Sequence, residues 1–194
     1  MMWHPRLKTF ILTLLLIKVW LISAYTSADE LGTLSVRMRS ILDAHAQLVK
    51  QWANHPAVVN EVIKHNYLEQ SLDDVKQIDR MWREGKKEAF ARSLQENKSG
   101  HFLKKRILEN RLYTEAFLCD GQGAVVGEYP MTSDYWQGDE DKFLKSFNGG
   151  EGQVYIGPIE FDESSGEISV QISVPVRSQG ATVGVLVVGL KNIK

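Results

Sequence analysis

The sequence predicts an α+β domain in which helices come first and an antiparallel β-sheet follows. Apolar residues recur every three or four positions from Leu31 to about residue 111, the period of α-helices. From Leu112 onward the apolar period falls to two, the period of β-strands. About 165 residues remain after an N-terminal export segment, which suffices for one domain with a core but hardly for two.

Residues 1–28 have the composition of an export signal. A positively charged start is followed by an apolar stretch over residues 9–25, and small residues end at Ala28, which predicts cleavage after that alanine. The alternative is an uncleaved membrane anchor formed by residues 9–25, although Lys18 near its middle makes insertion costly. In both interpretations residues 29–194 form a single exported domain, and the low cysteine content fits a bacterial periplasm.

The first predicted helix runs over residues 31–52 and ends near Asn54, because Pro56 disfavours helical backbone at the preceding residue. Its apolar positions alternate at intervals of three and four, as in a heptad pattern. After Leu31, the row consists of Leu34, Met38, Ile41, His45, Leu48 and Trp52. Such a helix either packs only on its own sheet or also pairs with a partner protein or a second copy of the chain. His45 is either a tolerated polar residue of the row or a group that makes the pairing pH-dependent.

Further helices are predicted over residues 56–66, 71–95 and 102–111. Pro56 suits the first turn of the helix over residues 56–66. Ser71 begins the next through a capping box with the carboxylate three residues later, and Gly85 breaks or bends that helix. Residues 97–100 are predicted to form a turn.

Five strands are predicted over residues 112–119, 124–129, 153–156, 167–177 and 181–190, with turns at 120–123 and 163–166. A short helix over residues 140–147, capped by Asp139, is inserted after the second strand. In the fourth strand, apolar residues from Ile168 to Val176 alternate with polar ones, so one face is core and the other is polar or lines a pocket. The fifth strand is apolar on both faces and should be central.

Several classes of function are disfavoured by composition. A net charge of −1 gives the molecule no electrostatic preference for nucleic acid. Cys119 is the one cysteine, so an intrachain disulfide is impossible, and it follows an apolar run that predicts a buried residue. The acidic residues 139–141 lack the spacing of a calcium loop, and no nucleophile–base pair or cofactor loop stands out. We therefore expect no enzymatic activity, cofactor or metal site.

Five sequence features occur in a characteristic order. A long helix follows the export segment, and a strand–turn–strand surrounds Asp120-Gly121-Gln122-Gly123. The segment from Thr132 to Phe147 carries an aromatic pair, and Tyr155-Ile156-Gly157-Pro158 and Ser173-Val174-Pro175-Val176 follow. In this order the features resemble the Cache (PDC) family of extracytoplasmic sensor domains over about residues 29–190.

The resemblance implies a PAS-like sheet of five antiparallel strands packed on the long N-terminal helix. It places a ligand on the other side of the sheet, under the segment that carries Tyr135 and Trp136. Residues of the polar strand faces complete the predicted ligand-binding set, namely Tyr155, Gln171, Ser173 and Arg177. Amino-acid-binding members carry an arginine before a Trp-Tyr pair, whereas Ser133-Asp134 stands here, so we assign no amino-acid ligand.

The resemblance implies a periplasmic domain that senses a small molecule. Because the sequence ends at Lys194 without an output domain, we expect it to report through its N-terminal helix to a membrane signalling partner. The alternative is an accessory structural or interaction protein that has a Cache-like fold and binds no ligand.

Overall fold

The computed structural model describes residues 36–162 and 167–192, without the side chains of residues 161, 162 and 167. The chain divides into two units, residues 1–41 and 42–194. Of the first unit, residues 36–41 are described and are helical. The predicted export signal and its cleavage site lie outside the described residues, as does Leu34.

Six helices of the second unit lie within the described residues. They are α1 (42–53, the continuation of the helix described from residue 36), α2 (Pro56–Asn66), α3 (Leu72–Arg83), α4 (Glu88–Glu96), α5 (Lys98–Glu109) and α6 (Asp141–Phe147). The predicted start of α3 is confirmed, because Ser71 Oγ accepts a hydrogen bond from the Asp74 amide at 3.2 Å. Among the described residues, no helix has the length and apolar character needed to cross a bilayer.

The helix predicted over residues 71–95 is broken at residues 84–87 into α3 and α4, and two helix starts differ from the sequence-based prediction. Residues 98–100 form the first turn of α5 rather than a separate turn, because Asn97 Oδ1 accepts a hydrogen bond from the Gly100 amide at 2.8 Å and caps the helix. Helix α6 begins after Glu140, which makes no side-chain capping bond, so the prediction that Asp139 caps it was wrong.

The sheet has five strand positions in the order β2-β1-β6-β5-β3, and all pairs are antiparallel. The strands are β1 (Tyr113–Cys119), β2 (Val125–Tyr129), β3 (Tyr155–Ile156), β5 (Glu167–Ser178) and β6 (Ala181–Lys191). A sixth short strand, β4 (Glu160–Asp162), also pairs with β5 and was not predicted. The prediction of an α+β fold with a five-position antiparallel sheet is confirmed, and β6 is central as expected.

Helices cover both faces of the sheet. Helices α1, α2 and α5 pack on one face, where Leu42, Val49, Val62 and Leu103 are among the buried residues. A second apolar cluster occupies the other face and includes side chains from α3, α4, α6 and the loop that carries Tyr135. We call this second face the covered face, and the segment from residue 130 to the end of α6 its cover.

Candidate functional site

The covered face contains a row of five side chains that crosses the whole sheet. Tyr155 pairs with Ser173, Ser173 with Val187, Val187 with Phe117, and Phe117 with Glu128. Residues directly opposite each other on neighbouring strands point to the same face, so the row places a phenol, a hydroxyl, a phenyl ring and a carboxyl in one layer. Ser173 and Glu128 are roughly 14 Å apart in this row, at about 4.8 Å per strand.

The aromatic turn of the cover is anchored to α3. The backbone amides of Tyr135 and Trp136 both donate to Asp79 Oδ1, at 2.9 and 3.0 Å. The Tyr135 side chain is 0% exposed, and its ring lies 5.7 Å from that of Trp82 and 5.5 Å from that of Phe90, measured between centroids. Aromatic side chains therefore fill the space between the turn and the sheet at this point.

Glu128 is the buried acidic group of this layer. Its side chain is 0% exposed, and its Oε2 accepts hydrogen bonds from the amide and the hydroxyl of Thr132, both at 2.9 Å. The nearby Gln95 side chain favours the ionised form of this carboxyl group and so lowers its pKa. Oε1 nevertheless accepts no hydrogen bond of good geometry from the described residues. Burial outweighs these bonds and raises the pKa of Glu128 to about 7.

Besides Gln137 Oε1 of the cover, two hydroxyl groups at the covered face lack hydrogen-bond partners among the described residues. They are the hydroxyl groups of Tyr135 and Ser173, both fully buried. Burial raises the pKa of the Tyr135 phenol far above its ordinary value. Buried polar atoms in folded proteins almost always have a partner, so each of three separate atoms, Glu128 Oε1 and these two hydroxyl groups, marks a position where water or a ligand would supply the missing bond.

The cover contributes a cation to the same layer. The Lys142 ammonium of α6 lies 5.5 Å from the centroid of the Phe117 ring, and its side chain is 20% exposed. Glu140 Oε2 lies 3.9 Å from this ammonium, within ion-pair distance. A positive group thus lies over the ring next to Glu128, so the layer presents both an ammonium and a carboxyl group.

The predicted ligand-binding residues do not all lie together. Tyr155 and Ser173 face each other across neighbouring strands, whereas Trp136 lies at the rim of the cover and donates from Nε1 to Gln122 O at 2.9 Å. Gln171 lies one row away and donates to Glu115 Oε1 at 2.8 Å. Their role in ligand binding stays a prediction, as does that of the buried Tyr135.

Arg177 is the last of the predicted ligand-binding residues and lies at the exposed end of β5. Its guanidinium donates to the backbone carbonyls of Glu151, Gly152 and Gly180. These bonds tie the segment after α6 to the turn between β5 and β6.

The site also contains residues that sequence reasoning missed, namely Asp79, Glu128 and Lys142. Two of them left a signal. Asp79 lies on the same face of α3 as the buried residues Val75 and Trp82. A carboxylate is usually exposed, but at this position of the helix the Asp79 side chain is buried. Glu128 follows an apolar stretch of β2 in the same way. A charged residue at an apolar position marks either a surface strand or a functional group, and only the register of the sheet distinguishes the two.

The predicted partner row on the N-terminal helix falls in both units. Met38 and Ile41 belong to the first unit. In the second unit, Trp52 and His45 contact Tyr113 of β1, with ring centroids 4.9 and 5.5 Å away, and a 2.9 Å hydrogen bond joins His45 Nδ1 to the Tyr113 hydroxyl. Leu48 is 42% exposed. Use of this row by a partner stays a prediction.

Other titratable groups are engaged within the fold. Burial raises the pKa of Cys119, so the thiolate needed for nucleophilic chemistry is disfavoured. His65 Nδ1 lies 2.8 Å from Asp120 Oδ2. In the part of the chain that the structure describes, no group of three histidine, cysteine or acidic residues is placed to hold a metal ion.

No protein-family model and no curated protein sequence matches the chain. Its fold is similar to solved sensor domains. The sensor domain of the V. cholerae histidine kinase DctB is 14% identical with a TM-score of 0.49, over 82% of this chain and 52% of that one. The ligand-binding domain of the Pseudomonas aeruginosa PAO1 amino acid chemoreceptor PctC, in complex with GABA, is 21% identical with a TM-score of 0.40, over 66% and 61%.

The ligand-binding domain of the Pseudomonas fluorescens chemoreceptor CtaA, in complex with L-leucine, is 12% identical with a TM-score of 0.45, over 80% of this chain and 51% of that one. The chain therefore spans about half to three-fifths of the length of these domains. These structural neighbours are sensor domains of a histidine kinase and of chemoreceptors, the class of protein that the sequence resemblance names. The similarity is distant and concerns the fold.

Proposed function

We propose that the chain is an extracytoplasmic sensory domain that binds a small polar molecule on the covered face of its sheet. The observation that carries this proposal is that three polar atoms buried along the covered face have no partner among the described residues, namely Glu128 Oε1, Ser173 Oγ and the Tyr135 hydroxyl. Leaving such an atom unpaired costs about 1–3 kcal/mol, so a ligand that supplies the missing bond binds with a favourable difference. The Lys142 ammonium favours a ligand that also carries an acceptor or a negative charge.

We further propose that binding is reported through the N-terminal helix to a membrane signalling protein. Strand β1 supports this route because it contributes to both faces of the sheet. Phe117 lies under the cover, and Tyr113, four residues earlier, contacts His45 and Trp52 of α1. A shift of β1 under the cover would therefore change the contacts of α1.

The proposal is tested by thermal unfolding of the full chain in a panel of small polar metabolites at fixed pH. A sensory domain gives a saturable rise of the midpoint with one chemical class, since a ligand that binds only the folded state stabilises it. Ser173→Ala and Lys142→Gln should weaken the midpoint rise, while Lys105→Gln on the exposed surface of α5 leaves it unchanged. A panel without any saturable rise contradicts small-molecule sensing.

A second function has its own supporting observation. Tyr135, Trp82 and Phe90 already fill part of the space under the cover, as expected of an accessory interaction protein that binds no ligand. In that case the N-terminal helix is the working surface. Polar substitutions at Leu34, Ile41 and Leu48 would then abolish complex formation with the membrane partner, while substitution of Ser173 and Lys142 would change nothing.

A further inference from the structure

A cleft of about 240 Å³ opens on the covered face beside the row that contains Phe117 and Ser173. Its floor is the next row of the sheet, where Gln171 of β5 lies opposite Gly189 of β6, and Gly189 lies opposite Glu115 of β1. Glu160 and Ser169 line the side of the cleft. None of the buried polar atoms that carry the proposed function lines this cleft, so it is a separate site.

The Glu115 carboxylate is held in a fixed position over the floor. Gln171 Nε2 donates to Glu115 Oε1 at 2.8 Å. A Cβ atom at Gly189 would lie 2.7 Å from Glu115 Cγ and 2.7 Å from Thr114 Oγ1, so a side chain at that position would displace both groups. The bare backbone of Gly189 therefore makes the space that the carboxylate occupies, and Glu115 Oε2 is left for another partner.

The lining is rich in acceptors and poor in donors. It contains the carboxylates of Glu115 and Glu160, the side-chain carbonyl of Gln171 and two hydroxyl groups, while no lysine, arginine or histidine is among the described residues that line it. The nearest cation in the sheet register is Lys191, opposite Ser169, and it has an interaction of its own. Within the described residues, neither Glu115 nor Glu160 has a cation within ion-pair distance.

We propose that this cleft binds a small organic cation, a primary ammonium or a guanidinium ion. Such a group carries several N–H donors and a positive charge, which match two carboxylates and an amide carbonyl. A metal ion fits less well, because the described residues hold no cluster of three suitable ligand side chains. The volume lies below the range of about 300–1,000 Å³ that is typical of drug-sized ligands, so the ligand is small.

Isothermal titration of the full chain at low ionic strength tests the proposal, with butylammonium and 1,4-diaminobutane as probes. Both amines should bind saturably with one site per chain, and butyrate should not bind. Glu115→Gln should weaken amine binding by about tenfold or more, because it removes a charged hydrogen-bond acceptor. Glu160→Gln should weaken it severalfold, while the exposed-site control Glu96→Gln and the covered-layer variant Ser173→Ala should bind like the unmodified chain.

Some outcomes would overturn the inference. These are no saturable binding of either amine up to millimolar concentration, equal binding of butyrate, or equal losses in Glu115→Gln and Glu96→Gln. Tighter binding of Mg²⁺ than of the amines would assign the cleft to a metal instead. If circular dichroism shows that Glu115→Gln does not fold, the exposed Glu160→Gln variant decides the test alone. The covered layer can fail to bind metabolites while the cleft still binds amines, so the two proposals fail separately.

Discussion

Substitution of Glu128 by glutamine should stabilise the protein at neutral and alkaline pH. The carboxyl group is fully buried, its Oε1 lacks a partner among the described residues, and burial raises its pKa to about 7. The folded state therefore retains a proton on Glu128 at pH values where the unfolded chain has lost it. Because the folded state binds more protons than the unfolded state in this window, stability falls as the pH rises.

The size and the pH window follow from the two pKa values. The unfolded value is 4.5 and the folded value about 7. The difference of about 2.5 units, at 1.36 kcal/mol per unit, corresponds to about 3 kcal/mol. The effect is absent below pH 4.5, grows between pH 4.5 and 7, and is complete above 7. Glutamine does not titrate, so the stability difference between Glu128→Gln and the unmodified chain should grow from near zero at pH 4.5 to about 3 kcal/mol at pH 8.

Urea unfolding at a series of pH values from 4.5 to 8 measures this difference. Tryptophan fluorescence is a suitable signal, because Trp82 Nε1 donates to the carbonyl of Thr132, whose amide and hydroxyl bind Glu128. The thermal midpoint at pH 8 should rise by about 6–12 °C, at 2–4 °C per kcal/mol for a domain of this size. Glu96→Gln, at an exposed carboxylate, is the control and should show no such trend. A stability difference that is flat across this pH range, or that favours the unmodified chain more as the pH rises, would refute the reasoning.

Three further perturbations have defined outcomes. Asp79→Ala leaves two amides of the cover unpaired and should lower stability in urea by about 2–4 kcal/mol, whereas Asp79→Asn keeps an acceptor; equal losses would contradict the anchoring role. Burial lowers the pKa of His45, so its contribution to stability is lost as the pH falls through about 6.5. His45→Gln should therefore lose less stability than the unmodified chain between pH 7 and 5, and an unchanged dependence of stability on pH would count against this. Leu48→Lys, at a half-exposed position, should change stability by less than about 0.5 kcal/mol. It should nevertheless weaken association with a membrane partner or a second copy in sedimentation or pull-down assays, and unaltered association would argue against the predicted partner row.

Most of the fold follows from apolar periods. Where the period is clear, as in β5, residues from Val170 to Val176 are alternately buried on one face as predicted. The apolar period did not predict the local structure where a polar side chain forms hydrogen bonds with the backbone. Asn97 with Ser99 and Gly100 has the composition of a turn, but the same Asn side chain also caps a helix, and local sequence does not distinguish the two. Strand β4 is too short to show a period at all.

The N-terminal helix shows why a correct pattern can still misplace a face. The heptad row includes His45, Leu48 and Trp52, yet the most deeply buried residues of α1 are Ala46, Val49 and Ala53. The second group lies about a quarter of a turn away, at roughly 100° per residue. Alanine and valine are smaller and contribute less to the apparent pattern, but the sheet packs most closely against them. The larger residues of the heptad row lie at the edge of this contact.

The covered layer was harder to predict because its chemistry depends on register. Nothing in the sequence indicates that Glu128 and Ser173 lie in one row with Phe117, since 45 residues separate the first two and pairing alone brings them into line. The aromatic pair was found from its motif, but the backbone amides of both residues are held by Asp79, which lies 56 residues before Tyr135.

The energetics of the covered layer limit how strongly a ligand could switch this domain. A ligand changes an equilibrium only by its difference in affinity for the two states. One donor that completes Glu128 Oε1 is worth about 1–3 kcal/mol, which corresponds to a coupling of about 5- to 150-fold. Such a donor would also stabilise the ionised carboxylate and lower the pKa of Glu128, so binding would release a proton near pH 7. Because Glu128 is paired with Phe117 on β1, and the same strand carries Tyr113 against α1, that proton release and any movement of α1 would have a common origin.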